Sequence, residues 1–168
     1  MRVPDAPGVR PTPDRVRETL FNWLGQDLSG AATLELYAGT GILTLEAQSR
    51  GAALSVVVDR NPMLVRALQD AARAIGIAAV EAHAEDAFRY LARESRRFDV
   101  IFLDPPFADD PWRELFTMLA ARLAEGGCVY AEAGRTLEPP QGWQMLRRAK
   151  AGHVHYHLLA PAETVAKP

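Results

Sequence analysis

Apolar residues recur in two different rhythms along this chain. Short, nearly continuous apolar runs at Thr33–Tyr37, Leu54–Asp59, Ala78–His83, Phe98–Leu103 and Gly127–Glu132 predict strands. Between them, apolar positions at helical spacing predict helices over Leu43–Ser49, Pro62–Ile75, Ala87–Glu94 and Trp112–Ala124. One more helix, over 13–25, is predicted ahead of the first strand. Thr12 is its cap, Pro13 and Asp14 sit in its first turn, Val16, Leu20, Phe21 and Leu24 form its apolar side, and Gly25 stops it. Apolar strands separated by helices pair in parallel through right-handed crossovers, so the expected fold class is α/β, a mostly parallel sheet with helices on both faces. The tail breaks this rhythm. Trp143–Lys150 and His153–Leu159 flank Ala151-Gly152 with no room for a helix, which predicts a C-terminal antiparallel hairpin closing one sheet edge.

With 168 residues the chain suits one domain with a sizeable core, residues 1–12 forming an extended Pro- and Gly-rich segment before the helix. No apolar run approaches a membrane span and no signal-peptide core stands at the start. Cys128 is the one cysteine, so an internal disulfide is excluded, and a reducing, cytoplasmic setting is expected. It follows Gly126-Gly127 in an apolar run and reads as a small buried hydrophobe. The net charge of −2 is low for a nucleic-acid binder. Basic residues are nevertheless clustered, with Arg2, Arg10, Arg15 and Arg17 near the start and Arg147, Arg148 and Lys150 near the end. Such clusters are either solvated faces or phosphate contacts.

The first strand runs into Leu34-Glu35-Leu36-Tyr37-Ala38-Gly39-Thr40-Gly41, and a helix follows. In a doubly wound sheet, ligands bind beyond the carboxyl ends of the strands. Gly39 and Gly41 let the backbone turn sharply and approach a ligand closely. A dinucleotide fingerprint needs a third glycine where Thr44 stands, and a phosphate-binding loop of the Walker type needs a Gly-Lys-Ser/Thr that is absent. Glu35 is unhelpful beside a pyrophosphate but suits the cationic amino-acid end of S-adenosylmethionine. Asp59, about twenty residues beyond the loop, is placed to accept hydrogen bonds from ribose hydroxyls, with Asn61 in support. Asp86 is a candidate acceptor for an adenine amino group, although Glu85 and Asp86 also suit a helix start. Tyr37 and Ala87 complete the expected cofactor-binding set.

The fourth strand ends in Asp104-Pro105-Pro106-Phe107. Two prolines remove backbone donors and stiffen the turn, leaving carbonyls to accept, while Asp104 adds a charged acceptor and Phe107 a flat apolar face. That set suits a planar group bearing an NH₂: acceptors take its protons and the ring stacks on it. All four residues are candidate catalytic residues, and no strong general base is required.

On these residues the chain resembles the RsmD-type bacterial 16S ribosomal RNA guanine-N2 methyltransferases. The resemblance rests on Arg10-Pro11-Thr12, on Arg17-Glu18-Thr19-Leu20-Phe21-Asn22-Trp23-Leu24, on the glycine loop followed by Leu45-Glu46-Ala47 and Ser49-Arg50-Gly51, and on the Asp-Pro-Pro-Phe turn. It implies a Rossmann-like fold, S-adenosylmethionine as cofactor, and methyl transfer to N2 of one guanine in 16S rRNA, within a small-subunit particle. No obligate protein partner is evident. Arg10, Thr12, Arg15 and Arg17 become candidate RNA contacts. Two departures stand out. Glu35 replaces the family's usual Asp, and the basic, glycine-containing segment that precedes Arg-Pro-Thr in relatives is expected to be shortened here.

Other readings stay open. The same turn serves adenine-N6 or protein-glutamine methylation, and a non-catalytic nucleoside-binding assembly module would keep the pocket. His153, His155 and His157 alternate on one expected strand face. No carboxylate or cysteine lies near them in sequence, so a solvated face is expected rather than a metal site, with Val154, Tyr156 and Leu158 turned inward.

Overall fold

The computed structural model describes residues 14–162. Its core is a sheet of seven strands: β1 (Ala32–Leu36), β2 (Leu54–Asp59), β3 (Val80–Ala84), β4 (Phe98–Leu103), β5 (Leu123–Ala133), β6 (Trp143–Ala151) and β7 (Val154–Pro161), in the spatial order β3-β2-β1-β4-β5-β7-β6. The first five pair in parallel, and β7 pairs antiparallel with both β5 and β6. Helices α1 (Asp14–Leu24), α2 (Ile42–Ser49), α3 (Pro62–Ala74), α4 (Ala87–Arg93) and α5 (Trp112–Leu119) cover its faces.

Each face is dictated by alternation along the strands. Leu34, Leu36, Val56, Val58, Ile101 and Leu103 turn toward α4 and α5, meeting Tyr90, Leu91, Leu115 and Leu119. Val100, Phe102 and Tyr130 point the other way, toward Val16, Leu20 and Phe21 of α1 and Leu43 and Ala47 of α2. Helices α3 and α4 start where sequence chemistry starts them. Asn61 accepts from the Met63 amide ahead of Pro62, and Asp86 accepts from the Arg89 amide.

The strand order reverses between β1 and β4. Leu36 is level with both Val58 and Leu103, so the loops after β1, β2 and β4 open onto one edge of the sheet. That edge is the switch point where a doubly wound sheet forms its crevice.

Two expectations need correction. Helix α5 ends at Leu119, not Ala124: a 3-10 turn over Ala120–Arg122 leads into β5 at Leu123, which already pairs with Phe98. The histidines do not share a solvated face. His153 lies in the hairpin turn, and His157 on β7 is only 1% exposed, bonded to the Leu137 amide of the segment that follows β5. The hairpin's edge strand is β6, and its exposed Arg147, Arg148 and Lys150 are typical of a strand that must avoid pairing with another chain. Arg10 and Thr12 lie outside the described residues.

Candidate functional site

The loop from β1 to α2 follows an unusual backbone path. Tyr37, Gly39 and Gly41 all take left-handed conformations, with φ of 57°, 56° and 71°. At Gly41 a Cβ would also fall 2.5 Å from a methyl of the buried Leu68, so any side chain there would force Leu68 to move. Tyr37 holds that conformation without being glycine, a local cost of the kind that persists where a site requires it.

Asp59 is the tie between the first two loops. One carboxylate oxygen accepts from the Gly39 amide at 2.9 Å and the other from the Asn61 amide at 2.9 Å. An ionised carboxylate offers about four acceptor positions, so capacity remains for hydroxyl donors. The half-buried Asp59 lines a cleft of about 510 Å³ together with Glu35, Tyr37, Gly39, Asn61 and Ala87. Asp104, Pro105 and Pro106 form its far wall. Thr40, Ile42, Leu43, Val58, Arg60, Leu64, Glu85 and Asp109 also line it, and sequence reasoning did not single these out. The volume is that of a small-molecule site.

Two expected cofactor residues stand elsewhere. Gly41 shapes the loop but is not part of the cleft lining. Asp86 faces a neighbouring cavity with Tyr37, Arg60, Phe88 and Asp109, while Glu85 faces the cleft itself.

Glu35 is the most perturbed acid of the cleft. It is 5% exposed, and one carboxyl oxygen accepts from the Thr44 amide at 3.0 Å and hydroxyl at 2.8 Å. Thr44 occupies the place of the dinucleotide fingerprint's third glycine, and its role here is to hold this carboxyl. Burial pushes the Glu35 pKa up to about 8; the Thr44 bonds oppose that rise, and the nearby charges of Glu132 and Asp59 add to it. The folded chain therefore holds this proton more tightly than the unfolded chain does. That stabilisation is complete below pH 4.5 and is lost as pH rises through about 8. At about 1.4 kcal/mol per tenfold change in proton affinity, the ligand-free protein should melt several degrees lower at pH 9 than at pH 6. Glu35→Gln should flatten that dependence. A wild-type melting curve that does not move over this range counts against a buried, proton-holding Glu35.

Asp104 leaves β4 half-buried at the switch-point edge, followed by buried Pro105 and exposed Pro106. The turn closes on itself, since the Pro106 carbonyl accepts from the Asp109 amide at 3.1 Å. Pro106 is thus already engaged once, where the prolines alone suggested carbonyls left open. Phe107 is 36% exposed and lies beside the cleft, packed against the backbone of Gly134.

A second buried acid stands next to this turn. The β4–β5 register sets Leu103 level with Ala131, so Glu132 follows Asp104 at the same height. Glu132 is 4% exposed and accepts from the Tyr130 hydroxyl at 2.6 Å. Burial raises the Tyr130 hydroxyl pKa well above its usual value, with Glu132 and Asp104 charges contributing. The only sequence signal was a glutamate inside an apolar strand.

Asp59, Asp104 and Asp109 line the cleft against one arginine, Arg60, beside Glu85, which pairs with Arg93, and Glu35, which holds its proton below about pH 8. Such a field repels phosphate and favours a cation. Hydroxyl acceptors at Asp59, an acidic pocket at Glu35 and apolar walls from Ile42, Val58 and Leu64 fit the ribose, ammonium and adenine ends of S-adenosylmethionine. Burial pushes the Cys128 thiol up to about 11, so it is no nucleophile. Among the described residues no helix is long and apolar enough to cross a membrane, and no group of three His, Cys, Asp or Glu could hold a metal ion.

The family described as conserved hypothetical protein 95 matches residues 1–160. The Escherichia coli (strain K12) protein named Ribosomal RNA small subunit methyltransferase D is 34% identical over 161 residues, 93% of this chain and 81% of that protein. Its namesake from Haemophilus influenzae is 30% identical over 164 residues, 93% and 85% of the two chains. Among solved structures, the Escherichia coli protein yhhF, described as a candidate methyltransferase, superposes with a TM-score of 0.86 at 31% identity, covering 96% of this chain and 90% of that one.

Proposed function

The chain belongs to the conserved hypothetical protein 95 family, the RsmD family, and on that premise we propose that it methylates ribosomal RNA of the small subunit, transferring a methyl group from S-adenosylmethionine to N2 of a guanine in 16S rRNA. The observation that carries this reading is the position of Asp104. It faces the same cleft as Glu35 and Asp59, at the end of β4, which pairs with the strand that carries Glu35, in a turn stiffened by two prolines.

S-adenosylmethionine, when bound, supplies a methyl group on a positively charged sulfur that needs no further activation. The protein's work is to position the reactants. Asp59 takes the ribose hydroxyls and Glu35 the ammonium end, while Tyr37, Asn61, Glu85 and Ala87 shape the remainder of the pocket. The Asp104 carboxylate accepts from the exocyclic amine, turning the nitrogen lone pair toward the methyl donor. Pro105 and Pro106 hold that carboxylate in place, and the exposed face of Phe107 stacks on the base. The proton shed by the amine passes along its hydrogen bond to the Asp104 oxygen and then to water.

Methyl transfer from labelled cofactor to small subunits lacking the modification, followed by mapping of the labelled position, tests this reading. Label at guanine N2 is expected. Label on an adenine or on a protein would overturn the guanine assignment, and no transfer to subunits would overturn the RNA substrate.

RNA contact is assigned to the start of the chain, through Arg10, Thr12, Arg15 and Arg17. Arg15 is exposed on α1, and Arg17 pairs at 2.9 Å with an exposed Asp14, a surface pair that a phosphate can displace at little cost. Replacing Arg10 and Arg17 with alanine should weaken RNA binding and lower the slope of log affinity against log salt by about 0.7–0.9 per lost phosphate contact. Cofactor affinity should stay unchanged. An unaltered salt slope would reduce both arginines to a solvated face.

A further inference from the structure

Between β5 and β6 the chain runs from Gly134 to Gly142 without helix or strand, so side chains must hold it. Its first four residues are tied on two sides. Toward the reacting turn, a Cβ at Gly134 would lie 2.9 Å from the Phe107 ring, and Arg135 meets Asp110 at 3.0 Å. That ion pair is largely exposed, so it orients more than it binds. Toward the sheet, the Thr136 hydroxyl lies 3.1 Å from His155 Nδ1, and the buried Leu137 donates its amide to His157 Nε2 at 3.0 Å.

The chemistry of His157 is determined by its second bond. Nδ1 stands 3.0 Å from the Ala131 carbonyl, which has no proton to give, so Nδ1 carries the hydrogen and donates it. Nε2 is then the bare nitrogen, free to accept from Leu137. A protonated imidazole would place a hydrogen there and break the contact. Burial lowers the pKa of this ring; the bond to Ala131 opposes that, while His155 beside it on β7, Arg148 opposite on β6 and Arg135 on the tied segment add to the lowering. The ring is kept in the form that can accept.

We infer that His157 is a positioning residue for the reacting turn: by accepting the Leu137 amide it seats residues 134–137 against Phe107 and Asp110, and so sets the platform on which the substrate base stacks. The inference rests on the base-methylation reading given above. His155 and His157 both lie on β7, the strand that borders β5 where β5 gives way to this segment.

Two amides report the coupling without any assay of activity. The Leu137 amide reads the latch, and the Asp109 amide, bonded to the Pro106 carbonyl, reads the reacting turn. Gln reaches as far as Nε2 and offers an acceptor without titrating, whereas Asn reaches only the Nδ1 position and keeps the bond to Ala131. In His157→Asn, hydrogen exchange at both Leu137 and Asp109 should accelerate by about tenfold or more. The KM for small subunits should rise about fivefold or more, with cofactor affinity unchanged. At neutral pH His157→Gln should stay within about twofold of wild type in both exchange rates and in KM. The acid side of the wild-type pH profile for KM should be absent in His157→Gln.

Faster exchange at Leu137 with Asp109 unmoved would overturn the coupling, as would equal behaviour of the Asn and Gln variants. If wild-type protein fails to methylate subunits, the functional reading falls, while the two exchange rates still decide whether the latch holds the turn.

Discussion

Replacing Asp104 with alanine is expected to cut methyl transfer to small subunits by about tenfold to a few hundredfold while leaving cofactor affinity within about twofold. The magnitude follows from the bond removed: a hydrogen bond to a charged acceptor is worth roughly 1.5–3 kcal/mol, and one made to the reacting group appears in the rate rather than in binding. The cofactor is left alone because its contacts are assigned to the loops after β1, β2 and β3, whereas Asp104 leaves β4. Asp104→Asn keeps one carbonyl oxygen as acceptor and should retain part of the rate, provided the amide turns that oxygen toward the amine. Phe107→Leu separates stacking from hydrogen bonding. It should raise the apparent substrate constant and lower the rate, since stacking on a base is worth roughly 1–3 kcal/mol. Single-turnover rates with cofactor titrations check all three variants. Wild-type rate in Asp104→Ala would remove amine recognition from the mechanism.

Asp59→Ala should lower cofactor affinity by about tenfold or more, because two hydroxyl donors lose a charged acceptor worth roughly 1.5–3 kcal/mol per bond. The structure adds a second consequence. The Gly39 and Asn61 amides both lose their partner, so the variant should also melt at a lower temperature. Each deprived donor costs on the order of 1–3 kcal/mol where water cannot replace the carboxylate. Calorimetry and thermal melting separate the two effects. Unchanged cofactor affinity with a lowered melting temperature would make Asp59 a loop clamp and nothing more. Asp59→Asn should fall between, keeping one acceptor while turning the other into a donor that faces an amide.

Several features of the site were legible before any tertiary structure. Asp59, Asp104 and Pro105 each stand at or just beyond a strand end that the apolar pattern located, Glu35 stands one residue before the end of β1, and the structure brings them to one cleft. Asp86 was read both as an adenine acceptor and as a helix cap. Its side chain caps α4 and faces the adjoining cavity, and its neighbour Glu85 takes the place in the cleft. Alternation along a strand says that adjacent residues diverge, but β3 and α4 meet at these two positions, where strand periodicity has already ended.

By itself the sequence determined the elements and several of their ends. Strands β2 and β4 begin and end where the apolar runs do, and α3 and α4 start at the caps provided by Asn61 and Asp86. These are local matters, settled by side-chain periodicity and by hydrogen bonds spanning a few residues. Only the tertiary structure decided that Glu132 stands level with Asp104, that Thr44 holds Glu35, and that His157 is buried and accepts the Leu137 amide. Each of these depends on which strand or loop lies alongside. His157 looked solvent-facing because alternation assigns a residue to one side of a sheet without saying what covers that side. With Leu137 of the segment after β5 set against it, His157 lost its exposure, and the buried imidazole needed a partner at each nitrogen.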